Sequence, residues 1–285
     1  ELHCRRGQRL KNRFDLLDSR AILDRLDQRT RALIADVEVL VETDSTNSYL
    51  VREGPSDGFA GRVCLAETQT AGRGRRGKRW ISPFGANLYM SLLWRSNQRP
   101  SDTARLSLLI AVAVADALTA MGAQGLALKW PNDVLWRGKK LSGILLETVG
   151  AANGSHIVIG IGVNVNMSEL REIEIDQPWT DLATVLCGNV PSRNLLAARL
   201  LDAMVTTICS FERGGGKNLQ HVWRRYDSIY GQVVEMQTHN GRQRGKALGI
   251  DAEGRLIIQI DGQRQAFACG GISLITISQR MAALE

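Results

Sequence analysis

One segment of the sequence alternates glycine with arginine: it reads Gly72-Arg73-Gly74-Arg75-Arg76-Gly77. Glycine lets backbone amides come close to a ligand, and guanidinium groups pair with phosphates and carboxylates. The segment therefore predicts a loop that holds a polyanion. Basic surface loops and RNA-binding tails have a similar composition, so the segment by itself leaves those alternatives open.

A second segment places a lysine and an acid around a turn, Lys129-Trp130-Pro131-Asn132-Asp133. It follows a predicted strand, and ligand sites commonly lie where strands end in mixed folds. Lys129 is suited to a phosphate and Asp133 to Mg²⁺. Pro, Asn and Asp are also ordinary turn residues, and the segment alone favours a purely structural turn.

Two further segments place unusual residues in predicted strands. Lys140 begins an apolar run that ends at Glu147, and Gly143 within it allows another group to pack against the backbone. A strand with a solvated first residue is the alternative. The run from Gly160 to Asn166 contains glycine and asparagine, which strands normally disfavour.

Predicted strands and helices position these segments. The basic segment connects a strand from Arg62 to Glu67 with a strand from Asn87 to Trp94, so it is a strand-to-strand loop. The other predicted elements are a short helix after Asp18-Ser19, a strand from Val37 to Val41, a helix from Asp44 toward Arg52, a helix from Leu106 to Met121, a strand ending at Lys129, an antiparallel hairpin of Lys140 to Thr148 with His156 to Asn166, a helix after Ser192 and a helix to about Tyr226.

The sequence changes in character after Gly231, where short strands alternate with glycine-containing turns. This alternation of short strands and turns predicts a small β-barrel of about fifty residues, which follows a larger mixed domain. The predicted strands run from Val233 to Gln237, from Gly245 to Ile250, from Leu256 to Ile260 and from Arg264 to Ala268.

Composition narrows the class of protein. The 285 residues are 44% hydrophobic and 23% charged, which is typical of an ordered globular chain. Five widely spaced cysteines without a Cys-x-x-Cys pair encode neither a disulfide framework nor a zinc site, so we expect a reducing compartment, the cytoplasm. The apolar stretch from Leu106 to Ala123 contains Asp116 and is short for a membrane span, so we expect a core helix and no membrane association.

Several motifs occur in the order found in biotin protein ligases, and the chain resembles that family from about Arg5 to Ser278. The likeness is closest to the bacterial form that is both biotin ligase and biotin operon repressor. The motifs are Asp44-Ser45-Thr46-Asn47, Gln69, Gly72 to Gly77 with Trp80, Lys129 to Asp133, Lys140 to Glu147, and Gly160 to Asn164.

The resemblance implies an α+β fold, with a catalytic domain like those of class II aminoacyl-tRNA synthetases and lipoate ligases, and a C-terminal SH3-like β-barrel. It implies three parts: residues 1–35 as the remnant of an N-terminal winged-helix domain with a linker helix, 36–229 as the catalytic domain, and 230–285 as the barrel. The implied reaction joins biotin and ATP into biotinyl-5'-AMP and pyrophosphate, with Mg²⁺. Biotin then passes to a lysine of biotin carboxyl carrier protein.

The resemblance also assigns roles to individual residues. Ser45, Thr46, Asn47 and Gln69 would line the ureido and thiophene end of biotin, and Arg73, Gly74 and Arg75 would close over its carboxylate and the adenylate phosphate. Lys140 would contact the carboxyl end. Lys129, Asn132 and Asn164 would lie on the ATP side with Arg73 and Arg75, Trp80 would wall the pocket, and Asp133 would hold Mg²⁺. Arg75, Lys129, Lys140 and Asp133 are thus the candidate catalytic residues.

Two departures from the family pattern limit what the resemblance implies. Only residues 1–10 resemble the winged helix, as its last wing strand, and there the usual Gly-x-Gly-Tyr reads Arg5-Arg6-Gly7-Gln8. DNA binding is therefore expected only if a complete winged helix exists. The second departure is Gly271, where the family commonly has a glutamate. Subunit pairing is left open.

Two rival functions stay open from the sequence. One is a lipoate or octanoyl ligase of the same fold, against which the basic loop argues. The other is a non-catalytic DNA-binding regulator, which the +7 net charge would suit.

Overall fold

The computed structural model describes residues 15–53, 61–96, 102–151, 154–167, 175, 177–238, 241–268 and 273–276. The predicted wing remnant and Gly271 lie outside these residues. The described helices are α1 (Ser19–Leu23), α2 (Gln28–Leu33), α3 (Thr46–Glu53), α4 (Thr103–Ala120), α5 (Leu182–Val185), α6 (Arg193–Glu212) and α7 (Leu219–Arg224). The strands are β1 (Asp36–Thr43), β2 (Arg62–Gln69), β3 (Asn87–Ser96), β4 (Leu126–Lys129), β5 (Asp133–Trp136), β6 (Lys139–Ala151), β7 (Gly154–Asn164), β8 (Val233–Thr238), β9 (Gly241–Ile250), β10 (Leu256–Ile260), β11 (Gln263–Phe267) and β12 (Ser273–Thr276).

A seven-stranded sheet forms the larger part of the fold, in the order β1-β2-β3-β7-β6-β5-β4. Strands β1 and β2 are parallel, and every other neighbouring pair is antiparallel. This mixed sheet with its helices confirms the predicted α+β class. The β6–β7 hairpin is confirmed as well, and the basic segment does connect β2 to β3.

The two faces of the large sheet carry different residues, because successive side chains of a strand point to opposite sides. Leu88, Met90 and Leu92 of β3 belong to the main core, which α4 and α6 cover. Leu93 packs instead with Leu50 of α3 in a smaller cluster. The face toward α3 therefore carries the odd-numbered residues of β3, and the cavity described below opens on that face.

Helices α4 and α6 are long and apolar enough to cross a membrane, judged by length and composition alone. Both pack into the main core: Ile110 and Val114 of α4 are fully buried, as are Leu201 and Met204 of α6. Burying each such side chain contributes about 1.5–3 kcal/mol. Their apolar character is thus accounted for by the core, as predicted for the segment from Leu106.

The N-terminal segment differs from the single linker helix that the sequence predicts. Helix α1 is capped by Asp18 and ends at Leu23, and α2 starts separately because the Asp27 carboxylate accepts the N–H of Thr30 at 2.6 Å. Because the second cap, Asp27, begins a new helix soon after Leu23, this segment forms two short helices where the sequence predicts one.

A buried ion pair fixes this segment to the large sheet. The Arg193 guanidinium lies 2.8 Å from the Glu67 carboxylate, and the two side chains are 3% and 5% exposed. Arg193 also donates to the carbonyls of Asp15 and Asn87, and Glu67 accepts the N–H of Leu17 at 2.7 Å. The start of α6, strand β2 and the N-terminal segment are therefore held together at one point.

The C-terminal strands form a five-stranded antiparallel sheet in the order β11-β10-β9-β8-β12. Among the described residues β11 and β12 remain its edges, so the predicted barrel is an open sheet there. Strand β9 starts at Gly241 rather than at the predicted Gly245, because Arg242 and Arg244 are exposed and carry no apolar signal. The predicted domain boundaries at 35/36 and 229/230 remain predictions.

Strand β5 is absent from the sequence-based prediction. Its four residues follow a turn and carry little pattern of their own. They form a strand because β4 and β6 pair with them on both sides. Tertiary pairing, not local propensity, creates this element.

Candidate functional site

A cavity of about 460 Å³ opens on the α3 face of the large sheet, a volume typical of small-molecule sites. The start of α3, the β2–β3 loop, the β4–β5 turn and strands β6 and β7 surround it. The predicted site residues that line it are Ser45, Thr46, Asn47, Gln69, Arg73, Gly74, Arg75, Trp80, Lys129, Asn132, Asp133 and Lys140. Segments far apart in sequence thus meet at one site, although each residue's binding role stays a prediction.

One end of the cavity is neutral and rich in amide and hydroxyl groups. The side-chain oxygen of Gln69 accepts the backbone N–H of Thr46 at 2.9 Å, and the Gln69 amide nitrogen donates to Ser82 at 2.9 Å. Asp44 accepts the N–H of Ser45, the residue just before α3, at 2.7 Å. Fixed donors and acceptors at this end suit a compact neutral group that also carries both.

Asn47 is oriented by two residues, Ser91 and Glu147, to which the sequence analysis assigned no role in the site. Ser91 donates to the Asn47 side-chain oxygen at 2.6 Å, and the Asn47 amide donates to Glu147 at 2.8 Å. A Cβ on Gly160 would lie 2.2 Å from the Asn47 side-chain oxygen, so only glycine fits there. A lone serine inside the apolar strand β3 was the available signal for Ser91.

The basic loop between β2 and β3 is folded as a tight turn at the cavity. Its ends meet through a hydrogen bond of 2.9 Å from the Trp80 N–H to the Gly72 carbonyl, and the Gly74 N–H donates to the Lys78 carbonyl at 2.7 Å. Arg73 forms an ion pair of 2.8 Å with Glu147. Glu147 therefore contacts both the loop and Asn47. The closing of Arg73, Gly74 and Arg75 over a ligand, which the resemblance implies, stays a prediction.

Trp80 forms a flat wall of the cavity against two strand glycines. A Cβ on Gly162 would lie 2.6 Å from the indole, and one on Gly143 would lie 3.1 Å from it. A side chain at Gly162 would clash with the indole, and one at Gly143 would force Trp80 to shift by a few tenths of an ångström, which explains glycine in the middle of β6 and β7. The Lys140 ammonium lies 5.3 Å from the Trp80 ring centroid, within cation–π range.

The opposite end of the cavity is cationic. Lys129 and Asp133 are partners across the β4–β5 turn, and the Lys140 ammonium lies 2.8 Å from the Asp133 carboxylate. Burial lowers the pKa of Lys129, Lys78 and Lys140 lower it further, and Asp133 opposes the shift. An incoming polyanion would relieve this crowding of positive charge.

Asp133 is the one carboxylate among the described residues that line the cavity. The described part of the chain has no group of three or more His, Cys, Asp or Glu side chains that could hold a metal. Mg²⁺ commonly binds to one or two carboxylates and takes its other ligands from water and substrate phosphates. The single Asp133 carboxylate fits an ion held in that way, and a metal site built from protein ligands alone does not fit.

Asn164 is the predicted site residue that lies outside the lining. It is 6% exposed, and its amide donates to the carbonyl of Thr180 at 3.0 Å and more weakly to that of Lys140 at 3.4 Å. The Thr180 N–H in turn donates to the Lys140 carbonyl at 2.9 Å. In this geometry Asn164 positions the start of β6, and its assignment to ATP remains a prediction.

The sequence matches two family models. Residues 40–164 match the Biotin/lipoate A/B protein ligase family, and residues 229–274 match the Biotin protein ligase C terminal domain. The first match contains every predicted site residue, and the second covers the small sheet except its final residues.

Known relatives are similar over most of the chain. The "Bifunctional ligase/repressor BirA" of Escherichia coli (strain K12) is 37% identical over 270 residues, which are 94% of this chain and 81% of that protein. The "Biotin--[acetyl-CoA-carboxylase] ligase" of Mycobacterium tuberculosis is 32% identical, covering 90% of this chain and 95% of that protein. A structure described as biotin protein ligase from Aquifex aeolicus in complex with biotin and ATP superposes with a TM-score of 0.72 at 27% identity, covering 85% of this chain and 100% of that one.

Proposed function

The chain belongs to the biotin protein ligase family, and we propose that its cavity binds biotin and ATP, forms biotinyl-5'-AMP and passes the biotinyl group to a lysine of a carrier protein. One observation carries this proposal. A single cavity joins a neutral end, where Thr46 and Gln69 are fixed, to a cationic end with Lys129 and Lys140.

The neutral end suits the head of biotin. Its ureido group presents two N–H donors and one carbonyl acceptor, and the fixed groups of Thr46, Asn47 and Gln69 offer matching partners. Ser45 completes this end, and Trp80 offers an apolar wall for the body of the ligand. Protein partners hold these groups in place, so the ligand meets donors and acceptors that are already oriented.

The cationic end suits the reacting groups. A carboxylate oxygen of biotin attacks the α-phosphorus of ATP, a new P–O bond forms, and the bond to the β-phosphate breaks as pyrophosphate leaves with its electron pair. This step requires positioning and charge neutralisation rather than a protein nucleophile. Arg73, Arg75, Lys129 and Lys140 supply positive charge, and the Gly74 backbone allows close approach.

Magnesium belongs to the same proposal. Asp133 would hold it together with the phosphates, where it would neutralise phosphate charge. Asp133 is paired with Lys140 at 2.8 Å. If Mg²⁺ bound to Asp133 together with ATP, it would replace Lys140 as the partner of Asp133. Lys140 could then turn to the carboxylate of biotin.

In the second step a lysine amine attacks the carbonyl carbon of biotinyl-5'-AMP, an amide bond forms, and AMP leaves with the electrons of the broken C–O bond. The amine loses a proton to solvent or to the leaving phosphate. The acceptor that the family implies is biotin carboxyl carrier protein, which supplies the lysine. The basic loop would shield the mixed anhydride from water until the carrier arrives.

The test is biotin-dependent exchange of labelled pyrophosphate into ATP by the purified chain, with lipoate in parallel. Exchange with biotin alone supports the proposal, and removal of Mg²⁺ by a chelator should abolish it. Exchange with lipoate alone would keep the fold and overturn the substrate. No exchange with either acid would overturn adenylation itself.

The name of the Escherichia coli relative includes a repressor role, so DNA binding is a second candidate, and it would require a complete winged helix. Residues 1–10, which resemble the last wing strand of such a domain, lie outside the described residues. Operator binding that weakens steeply with salt would support it. We also propose that the protein forms a homodimer and is located in the cytoplasm. Cys64, Cys187 and Cys209 are free thiols, as that location would require.

A further inference from the structure

The indole of Trp130 connects the cationic end of the cavity to the small C-terminal sheet. Its N–H donates to the carbonyl of Gly254 at 3.1 Å, and Trp130 is 3% exposed. Trp130 directly follows Lys129 in the β4–β5 turn, and the turn lines the cavity as far as Asp133. The hydrogen bond to Gly254, which does not line the cavity, thus acts on the turn that carries Lys129 and Asp133.

The turn that presents Gly254 is held by several internal hydrogen bonds. It joins β9 to β10, and the Asp251 carboxylate accepts the backbone N–H groups of Glu253 at 3.1 Å and Arg255 at 2.8 Å. The Asp251 N–H donates to the Arg255 carbonyl at 2.9 Å. The carbonyl that receives the indole proton is therefore held in place before any ligand binds.

The same turn packs against helix α4. Gly254 has a φ of 78°, and a Cβ there would lie 2.7 Å from the Leu108 side chain of α4. None of the described cavity-lining residues comes from the small sheet. Within the described residues, the small sheet thus reaches the cavity through Trp130 rather than by lining it.

The β4–β5 turn is also held from its other side. The Ile144 N–H donates to the Asn132 carbonyl at 3.1 Å, and the Asn132 amide donates back to the Ile144 carbonyl. These bonds fix the part of the turn next to β6. The Trp130 bond to Gly254 fixes the part of the turn next to Lys129.

From this geometry we propose that Trp130 is a positioning residue for nucleotide binding, through which the small sheet sets the place of Lys129 and Asp133. The proposal rests on the adenylation function proposed above. The hydrogen bond aligns the turn, the aligned turn holds the ammonium and the carboxylate toward the phosphates, and biotin at the neutral end is unaffected.

The chain offers a matched control in Trp136. This tryptophan lies on β5 of the same hairpin, its indole donates to the Gln124 carbonyl at 3.0 Å, and it does not line the cavity. Trp130→Phe and Trp136→Phe each remove one indole-to-carbonyl hydrogen bond while keeping an aromatic ring. Loss of one such bond predicts a rise in KM for ATP of about 3- to 10-fold in Trp130→Phe, with KM for biotin unchanged. Trp136→Phe should leave both constants as in the wild type.

A second variant separates positioning from direct contact of Trp130 with the nucleotide. Gly254→Ala moves the acceptor carbonyl, through strain at positive φ and the clash with Leu108, without altering the cavity lining. It should reproduce the ATP-specific rise in KM, and the double variant should be no worse than the more impaired single variant. Additive effects, or an ATP effect in Trp130→Phe alone, would overturn the proposal.

A readout that does not depend on activity completes the test. Hydrogen–deuterium exchange should be faster in the peptide covering residues 129–133 in Trp130→Phe than in Trp136→Phe. Equal exchange in the two variants overturns the positioning role whether or not the chain is active. Absence of pyrophosphate exchange in the wild type, with the expected difference in deuterium uptake, would instead overturn the proposed function and leave the structural link in place.

Discussion

Replacing Gly160 by alanine should weaken biotin binding selectively. The new methyl carbon would lie 2.2 Å from the Asn47 side-chain oxygen, far inside van der Waals contact, and both groups lie between packed strands and α3. Asn47 must therefore move, because the backbone of β7 is held by β3 and β6 on both sides. The displaced amide loses its bonds to Ser91 and Glu147.

The size of the effect follows from those two bonds. One is neutral and one is made to a carboxylate, so together they hold Asn47 with about 2–4 kcal/mol. If biotin needs Asn47 in its present place, affinity falls by up to that amount, roughly 30-fold to several hundred-fold. ATP affinity, which depends on the opposite end of the cavity, should change little.

Calorimetric titration of biotin into Gly160→Ala, Asn47→Ala and the double variant measures this directly. If the methyl group acts through Asn47, the double variant should bind no more weakly than the worse single variant. Wild-type biotin affinity in Gly160→Ala would refute the reasoning. Fully additive losses would show that alanine disturbs the site by another route.

Three other measurements test the stability and chemistry of the molecule. Glu67→Gln should lower the free energy of unfolding by about 3–5 kcal/mol, because Arg193 keeps a buried charge without its counter-ion; urea denaturation that shows less than about 1 kcal/mol would contradict this. Burial lowers the pKa of Lys129 below the ordinary 10.5, so ATP-dependent exchange should fall as the pH rises through that lowered value and the ammonium loses its proton. Lys129→Arg, which stays protonated, should remove this alkaline fall, and an unchanged pH profile would argue against the role of Lys129. Burial raises the pKa of Cys64 to about 12, so iodoacetamide should label the exposed Cys187 but not Cys64 in the folded protein; peptide mass spectrometry that finds equal labelling would disprove the burial argument.

Much of the fold was accessible from sequence because it is encoded locally. Strand periodicity, helix caps and glycine-rich turns predict the β6–β7 hairpin, the core helices and the placement of the basic loop between two strands, and each of these is confirmed. The motifs also identify most of the residues that surround the cavity. Where the local pattern is weak, as in β5 and the first part of β9, prediction misses the strand or its start.

The contacts within the site were decided by tertiary structure. Asn47 and Glu147 are separated by 100 residues and meet because α3 packs on the face to which the odd-numbered residues of β6 point from Gly143 onward. Asn164 points to Thr180 rather than into the cavity, and Trp130 reaches a carbonyl 124 residues further along the chain. The sequence by itself determined which residue types are present, at which spacing, and in which local conformation. Which of them touch was decided by the packing of helices, strands and turns that are far apart in sequence, because such contacts depend on neighbours that no local pattern encodes.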